Sequence, residues 1–256
     1  MIRVAACGDV HAGEDSRGLI RPHLEDLGDR ADLLLIAGDI TRCGTPAEAA
    51  VLAAEVSDVG VPVIAVLGNH DHHADQVPAV TAALEAAGVR VLEGDAVRLD
   101  VAGTSVGVAG VKGFGGGFAG ASGSDFGEPE MKSFVHSSRA AADRLQAALA
   151  ELATNVRIAL THYAPVPDTL QGERLEIYPF LGSSFLAEAI DAVGADLALH
   201  GHAHSGTEQG VTPAGITVRN VAQQVIRAAY RIYLVEPGPT APHTAAQAPV
   251  AVGSDP

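Results

Sequence analysis

The amino-acid sequence predicts an α/β fold built on a parallel sheet. Three short apolar runs carry that reading: Arg3 to Cys7, Leu33 to Ala37 and Val61 to Leu67. Each is stopped by a glycine and a polar residue (Gly8-Asp9, Gly38-Asp39 and Gly68-Asn69), as strands buried on both faces are. Helix-like stretches, Arg17 to Arg30 and Thr45 to Val56, lie between them, and alternation of this kind makes βαβ units. The second stretch opens Thr45-Pro46 with Glu48 following, a cap with proline at the first helical position.

The middle of the chain changes character. Val89 to Leu92, Ala96 to Val101 and Thr104 to Ala109 read as strands. Tight turns at Gly94-Asp95 and Ala102-Gly103 would join them into an antiparallel meander or hairpins. Residues 112–130 open with Gly113-Phe114-Gly115-Gly116-Gly117-Phe118 and have no period of either kind. That makes a long loop, read either as a substrate lid or as a surface loop whose phenylalanines pack locally. Ser137 to Leu152 is a helix by the spacing of Leu145, Leu149 and Leu152. Val156 to Leu160 is a strand ending at Thr161-His162, and Ser184 to Val193 is a helix. Asp196 to Leu199 is a strand ending at His200-Gly201-His202, and Ile216 to Val221 and Tyr230 to Val235 are closing strands. Pro237 to Pro256 is aperiodic and rich in Pro and Ala, so a single domain is expected over 1–236 with a disordered tail over 237–256.

Composition removes several classes of function. Of 256 residues 47% are hydrophobic, too many for a disordered chain. No apolar run approaches the ~18 residues of a membrane span. The chain begins as a strand and not as a charged segment followed by an apolar one, so no secretory signal is read. Two cysteines, Cys7 and Cys43, make no disulfide framework. A soluble, cytoplasmic protein without a membrane partner is expected. The formal charge of −15 repels polyanions, which argues against a nucleic-acid polymer as partner. A small phosphorylated substrate stays open, because bound cations would reverse the local sign.

Five strands end in Asp, Asn or His: Asp9-Val10-His11, Gly38-Asp39, Gly68-Asn69-His70-Asp71, Thr161-His162 and Gly201-His202-Ala203-His204. Ligands of an open α/β sheet bind beyond the carboxyl ends of its strands, so these segments should converge on one rim. Oxygen and imidazole donors suit Mn, Fe and Zn, and seven donors suit two ions that share a carboxylate. The spacing of 30 residues from Asp9 to Asp39, repeated from Asp39 to Asn69, matches one βαβ step. Glycines before Asp39, Asn69 and His202 fit strand-end turns that need positive φ.

The five blocks, in this order, resemble the calcineurin-like metallophosphoesterase family. The resemblance implies a four-layer αββα sandwich of two mixed sheets flanked by helices. It also implies a binuclear centre of two transition-metal ions, Mn or Fe favoured over Zn, and hydrolysis of a small phosphodiester or phosphomonoester by a metal-bridging hydroxide. A cyclic or other small nucleotide is the favoured substrate. Carried over by position, Asp9, His11 and His204 would hold the first ion and Asn69, His162 and His202 the second, with Asp39 bridging. His70 would be the catalytic proton or hydrogen-bond donor at the leaving oxygen.

One departure separates this chain from the family's protein phosphatases, which read Gly-Asp-x-x-Asp-Arg-Gly. Here Gly38-Asp39 is followed by Ile40-Thr41-Arg42-Cys43-Gly44, which disfavours that activity and leaves Asp71 as the nearby acid for His70. Arg42 is a candidate phosphate contact, or a surface residue at the top of a helix. His72 and His73 read as loop histidines, His200 as a core residue, and Cys7 and Cys43 as small buried ones. An inactive scaffold of the same fold, used for protein binding, is the alternative from another class, but every ligand position is filled.

Overall fold

The computed structural model describes residues 1–239, so the tail expected beyond Pro237 lies, from residue 240 on, outside the described residues. The first half of the chain runs β1 (Ile2–Cys7), α1 (Leu27–Arg30), β2 (Leu33–Ala37), α2 (Pro46–Val56), β3 (Val63–Val66), α3 (Val77–Ala86) and β4 (Val89–Leu92). Then come β5 (Asp95–Val101), β6 (Thr104–Val111), a short ribbon of β7 (Gly117–Phe118) and β8 (Ala121–Ser122), α4 (Pro129–Ala150) and β9 (Val156–Thr161). The chain closes with α5 (Tyr178–Leu181), α6 (Ser184–Val193), β10 (Leu197–His200), β11 (Gln209–Val211), β12 (Thr217–Asn220), α7 (Gln223–Ile226) and β13 (Arg231–Val235).

Two sheets result, one ordered β13-β1-β2-β3-β4 and the other β11-β12-β10-β9-β6-β5. Strands β1 to β4 pair in parallel, as do β6, β9, β10 and β12, while β13, β5 and β11 pair antiparallel at the edges. The alternation of side chains along a strand makes the layers. In β2, Leu33, Leu35 and Ala37 join Val4, Ile64 and Leu92 against Val108, Ile158 and Leu199 of the other sheet. The intervening Leu34 and Ile36 turn outward to Leu52 and Val56 of α2 and Leu84 of α3. On the far side, Ala109, Ala159 and Ala198 meet Leu145 and Leu149 of α4 and Leu186 and Ile190 of α6. Helices, sheet, sheet, helices: the four-layer sandwich holds.

Several elements differ from the sequence expectation. Residues 17–30 form bends, a 3-10 turn and only the four-residue α1, because a buried carboxylate from α2 claims their backbone donors. Glu55 accepts from the N–H groups of Gly18 (2.6 Å), Ile20 (3.0 Å) and Arg21 (2.7 Å). Second, β4 and β5 are not a hairpin: β4 pairs with β3 and Gly94 carries the chain across to the other sheet. Third, α3 has no counterpart among the sequence-derived elements, and α4 begins eight residues earlier than Ser137, at Pro129. The capped start of α2 stands as read, with Thr45 Oγ1 accepting from Glu48 N and the Glu48 carboxylate from Thr45 N, each at 3.3 Å.

Glu55→Ala is expected to destabilise the fold by about 2 kcal/mol, since three backbone donors lose a charged acceptor. Burial works to raise the Glu55 pKa, but the donors of Gly18, Arg21 and Ile20 outweigh it and the net shift is downward. Its contribution is therefore complete above the ordinary Glu pKa of ~4.3 and lost as pH falls through the lower folded value. Urea unfolding of both proteins at pH 7 and near pH 3 checks this; a difference that does not shrink in acid refutes it.

Candidate metal centre

The parallel pairing of β1, β2 and β3 puts Asp9, Asp39 and Asn69 just beyond three neighbouring carboxyl ends. The parallel pairing of β9 with β10 does the same for His162, His202 and His204. The two rims meet. Asp9, His11, Asp39 and His204 offer donor atoms within 4.8 Å of one another, and so do Asp39, His162 and His202. Asp39 belongs to both groups. Asn69 adds its Oδ1, 3.0 Å from His162 Nε2. All seven residues expected as ligands thus gather in one cluster.

The backbone is bent to bring them there. Asp9 (φ +57°), His11 (+48°), Asp39 (+48°) and His202 (+70°) lie in the left-handed region, which side chains other than glycine rarely adopt. Glycine does two different jobs next to them. Gly38 itself has φ +81°. Gly68 and Gly201 do not have positive φ, contrary to expectation; they are glycines for room. A Cβ on Gly68 would collide with the Asp39 carboxylate and N–H, and one on Gly201 with Asp9 Oδ2.

Three of the imidazoles are aimed by a bond to a backbone carbonyl. A carbonyl only accepts, so His162 Nδ1 donates to Ala37 O (2.8 Å), His202 Nε2 to Phe180 O (3.2 Å) and His70 Nδ1 to Arg42 O (2.8 Å). In His162 and His202 the other ring nitrogen is left as a lone pair toward the cluster, the usual arrangement for a metal-ligating histidine. Asp9 accepts from His202 N–H at 2.9 Å and meets His204 Nε2 at 2.8 Å. Asp39 Oδ1 accepts from His70 N–H (2.8 Å).

Burial sets the protonation states. It pushes His202 down to about 3 and His162 well below the ordinary imidazole value. Both are neutral at pH 7, as ligation requires. Burial also pushes Asp9 up to about 6 against the lowering effect of His204. Asp9 in turn pushes His204 up, yet burial still outweighs this partner at Asp9, so the carboxylate has room for further positive charge. His162 Nε2 and Asn69 Oδ1 likewise present two lone pairs to each other, and a cation accommodates both features. The donor set is nitrogen and oxygen with no cysteine in either group, which suits divalent first-row ions.

Several neighbours sit differently from the sequence expectation. Asp71 does not reach His70. It is fully buried and accepts from Thr41 Oγ1 (2.6 Å), Thr41 N (2.8 Å), Gly68 N (2.8 Å) and Ile40 N (3.2 Å), bracing the Asp39 loop against the Asn69 loop. The Arg42 carbonyl orients His70 instead, while its guanidinium pairs with Asp15 at 2.9 Å. Cys43 is exposed, because it lies in the turn before α2 with its N–H on Glu48 (2.9 Å), whereas Cys7 is buried in the core as read. His72, read as a loop residue, ends a one-turn 3-10 helix (His70–His72) that His73 caps, and His200 is a core residue bonded to Thr169 Oγ1 (2.8 Å). The Gly-rich segment is pinned: Gly116 N–H bonds Pro179 O (2.7 Å) and Gly117 N–H bonds Gly182 O (2.8 Å), with Phe118 buried and Phe114 partly so. Three contributions have no sequence signal, since they come from the backbone carbonyls of Ala37, Arg42 and Phe180. Lys112 had one: it follows the carboxyl end of β6, a strand parallel to β9.

The fold and the cluster define a class, and comparison with known proteins names it. The model of the calcineurin-like phosphoesterases matches residues 2–206, and the chain belongs to that family. Its members are generally metal-dependent phosphoester hydrolases, and the Asp/His cluster fits their divalent-metal site. Among curated proteins none matches the chain. Among solved structures it is similar to phosphopantetheinyl hydrolase (PptH) from Mycobacterium tuberculosis, at 16% identity and a TM-score of 0.66 over 95% of this chain and 98% of that one. It is also similar to TT1561 of Thermus thermophilus, at 18% identity and a TM-score of 0.53 over 91% and 98%. A 5'-nucleotidase-like protein from Staphylococcus aureus aligns at 15% identity and a TM-score of 0.53 over 93% of this chain but 54% of that one. At these identities the likeness is one of fold. Among the described residues no helix is long and apolar enough to cross a membrane.

Proposed function

We propose that this chain hydrolyses a small phosphodiester or phosphomonoester with two metal ions, Mn or Fe favoured over Zn. The observation that supports it most is that Asp39 belongs to both donor groups, as a carboxylate shared by two ions would. Asp9, His11 and His204 would hold one ion and Asn69, His162 and His202 the other. Bound there, the pair would acidify a water and neutralise charge growing on the phosphoryl oxygens.

The chain's own part is positional. Buried Asp9 and Asp39 are fixed by N–H groups of His202 and His70, so neither carboxylate can swing away. His70 is held at Nδ1 by Arg42 O, with Nε2 4.0 Å from Asp39 Oδ2 and its ring edge-on to His11 at 4.5 Å. Partly open to solvent, Nε2 is placed to hold or deliver a proton at the leaving oxygen. Arg42 enters the site through its carbonyl, and its guanidinium takes no part in this reading.

Chelator treatment followed by Mn²⁺ add-back tests the proposal, with bis(p-nitrophenyl) phosphate and p-nitrophenyl phosphate as substrates. Turnover is expected to vanish and return with the ion, and the ratio of the two rates separates diesterase from monoesterase. Two bound ions with no turnover of either ester would reject hydrolysis of such esters. No bound metal would reject the centre itself and favour the scaffold.

A further inference from the structure

Only 4% of the residues are aromatic, six Phe and four Tyr, yet they are not spread evenly. A row of rings leaves the metal cluster and runs to the surface. The Tyr163 ring lies 4.4 Å from that of His202, Phe114 5.8 Å from Tyr163, Phe134 5.3 Å from Phe114 and Phe180 6.1 Å from Phe134. Exposure rises outward: Tyr163 is 7% exposed and Phe180 59%. The row is anchored at both ends, because the backbone carbonyl of Phe180 also accepts from His202 Nε2. A large ring left exposed beside a reactive centre is a ready stacking partner.

One cation accompanies the row. Lys112, one of two lysines in the chain, lays its ammonium over Phe114 and Tyr163 at 5.0 and 5.2 Å. Among the described residues it forms no ion pair, although Glu93 lies near and takes the Lys112 backbone N–H (3.0 Å). Its position just past β6 puts it on the same rim as the ligands, and its own carbonyl accepts from His162 and Tyr163 N–H at 3.0 and 3.1 Å. A partly buried charge without a bonded counter-ion calls for an anion.

We propose that this strip is the recognition subsite for the substrate's ester arm: Phe180 and its neighbours stack on a planar ring of the phosphoester, and Lys112 holds an oxygen of its phosphoryl group. The substrate class is therefore phosphoesters that carry a flat ring close to the phosphorus. The inference rests on the phosphoesterase reading above.

Calorimetric titration of the Mn²⁺-loaded full chain with phenylphosphonate and methylphosphonate tests it without turnover. The phenyl probe should bind about tenfold tighter, the upper end of what an aromatic pair supplies. Phe180→Ala should narrow that ratio below about threefold at unchanged metal content, and Phe180→Tyr should keep it. Lys112→Met should weaken both probes by about tenfold, and Lys112→Arg should restore most of the loss, as a charged contact requires. Equal affinities of the native chain for the two probes, or a ratio indifferent to Phe180→Ala, would overturn the ring subsite. Unchanged binding in Lys112→Met would remove the lysine from it. Absence of binding by either phosphonate to the loaded protein would overturn this inference along with the phosphoesterase reading. Metal-dependent turnover without ring preference would overturn this inference alone.

Discussion

Asp39→Asn is expected to lower turnover by more than about 10²-fold and to cost at least one bound ion per chain. Losing a partner that merely orients a ligand costs about 10–100-fold in metal affinity or activity, and Asp39 is a direct donor in both groups. Asparagine is nearly isosteric and, like aspartate, tolerates the left-handed backbone, here φ +48°. Its amide oxygen can still accept the His70 N–H that Asp39 Oδ1 holds at 2.8 Å. The fold should therefore survive, and only the negative charge is removed. Metal content after gel filtration, turnover and thermal midpoint, measured on the same preparation, decide the matter. Two ions retained with activity within tenfold of native would show that Asp39 is not the shared ligand.

What the sequence made legible follows from what was local. Strand ends could be read because an apolar run has to stop, and the residues just past the stop are the ones at the rim; Asp9, Asp39, Asn69, His162, His202 and His204 were all found in that way. The layers could be anticipated only through the family resemblance, because nothing in Leu33 to Ala37 tells which of its two buried faces meets a helix and which a sheet. Residues 17–30 misled for the same reason. Their pattern is helical, but Glu55, more than thirty residues on, takes the backbone donors at Gly18, Ile20 and Arg21. Asp71 misled by adjacency: next to His70 in the chain, it turns away into four hydrogen bonds of its own. The group that does hold His70 is the Arg42 carbonyl, and a carbonyl has no letter in a sequence.

The glycines around the centre yield a second large effect, on stability as well as on metal. A Cβ at Gly38 would stand 2.5 Å from His162 Nδ1 and 2.6 Å from its Cγ, while the backbone there has φ +81°. The imidazole cannot retreat, being fully buried and bonded to Ala37 O at 2.8 Å. Overpacking of a tight site costs about 1–3 kcal/mol and a left-handed L-residue about 1–2 more, so Gly38→Ala should destabilise by about 2–5 kcal/mol. Two companions separate these contributions. Gly68→Ala carries no positive φ but meets Asp39 directly, so it should show the packing cost alone. Gly18→Ala has φ +76° with nothing within 4 Å, so it should show the backbone cost alone. Urea midpoints should fall furthest for Gly38→Ala. Metal content should drop for Gly38→Ala and Gly68→Ala and hold for Gly18→Ala, because only the first two displace a ligand. If Gly38→Ala were no less stable than Gly18→Ala and kept its metal, the cluster would have room to relax, and the close fit of these loops would not be what holds the ligands in place.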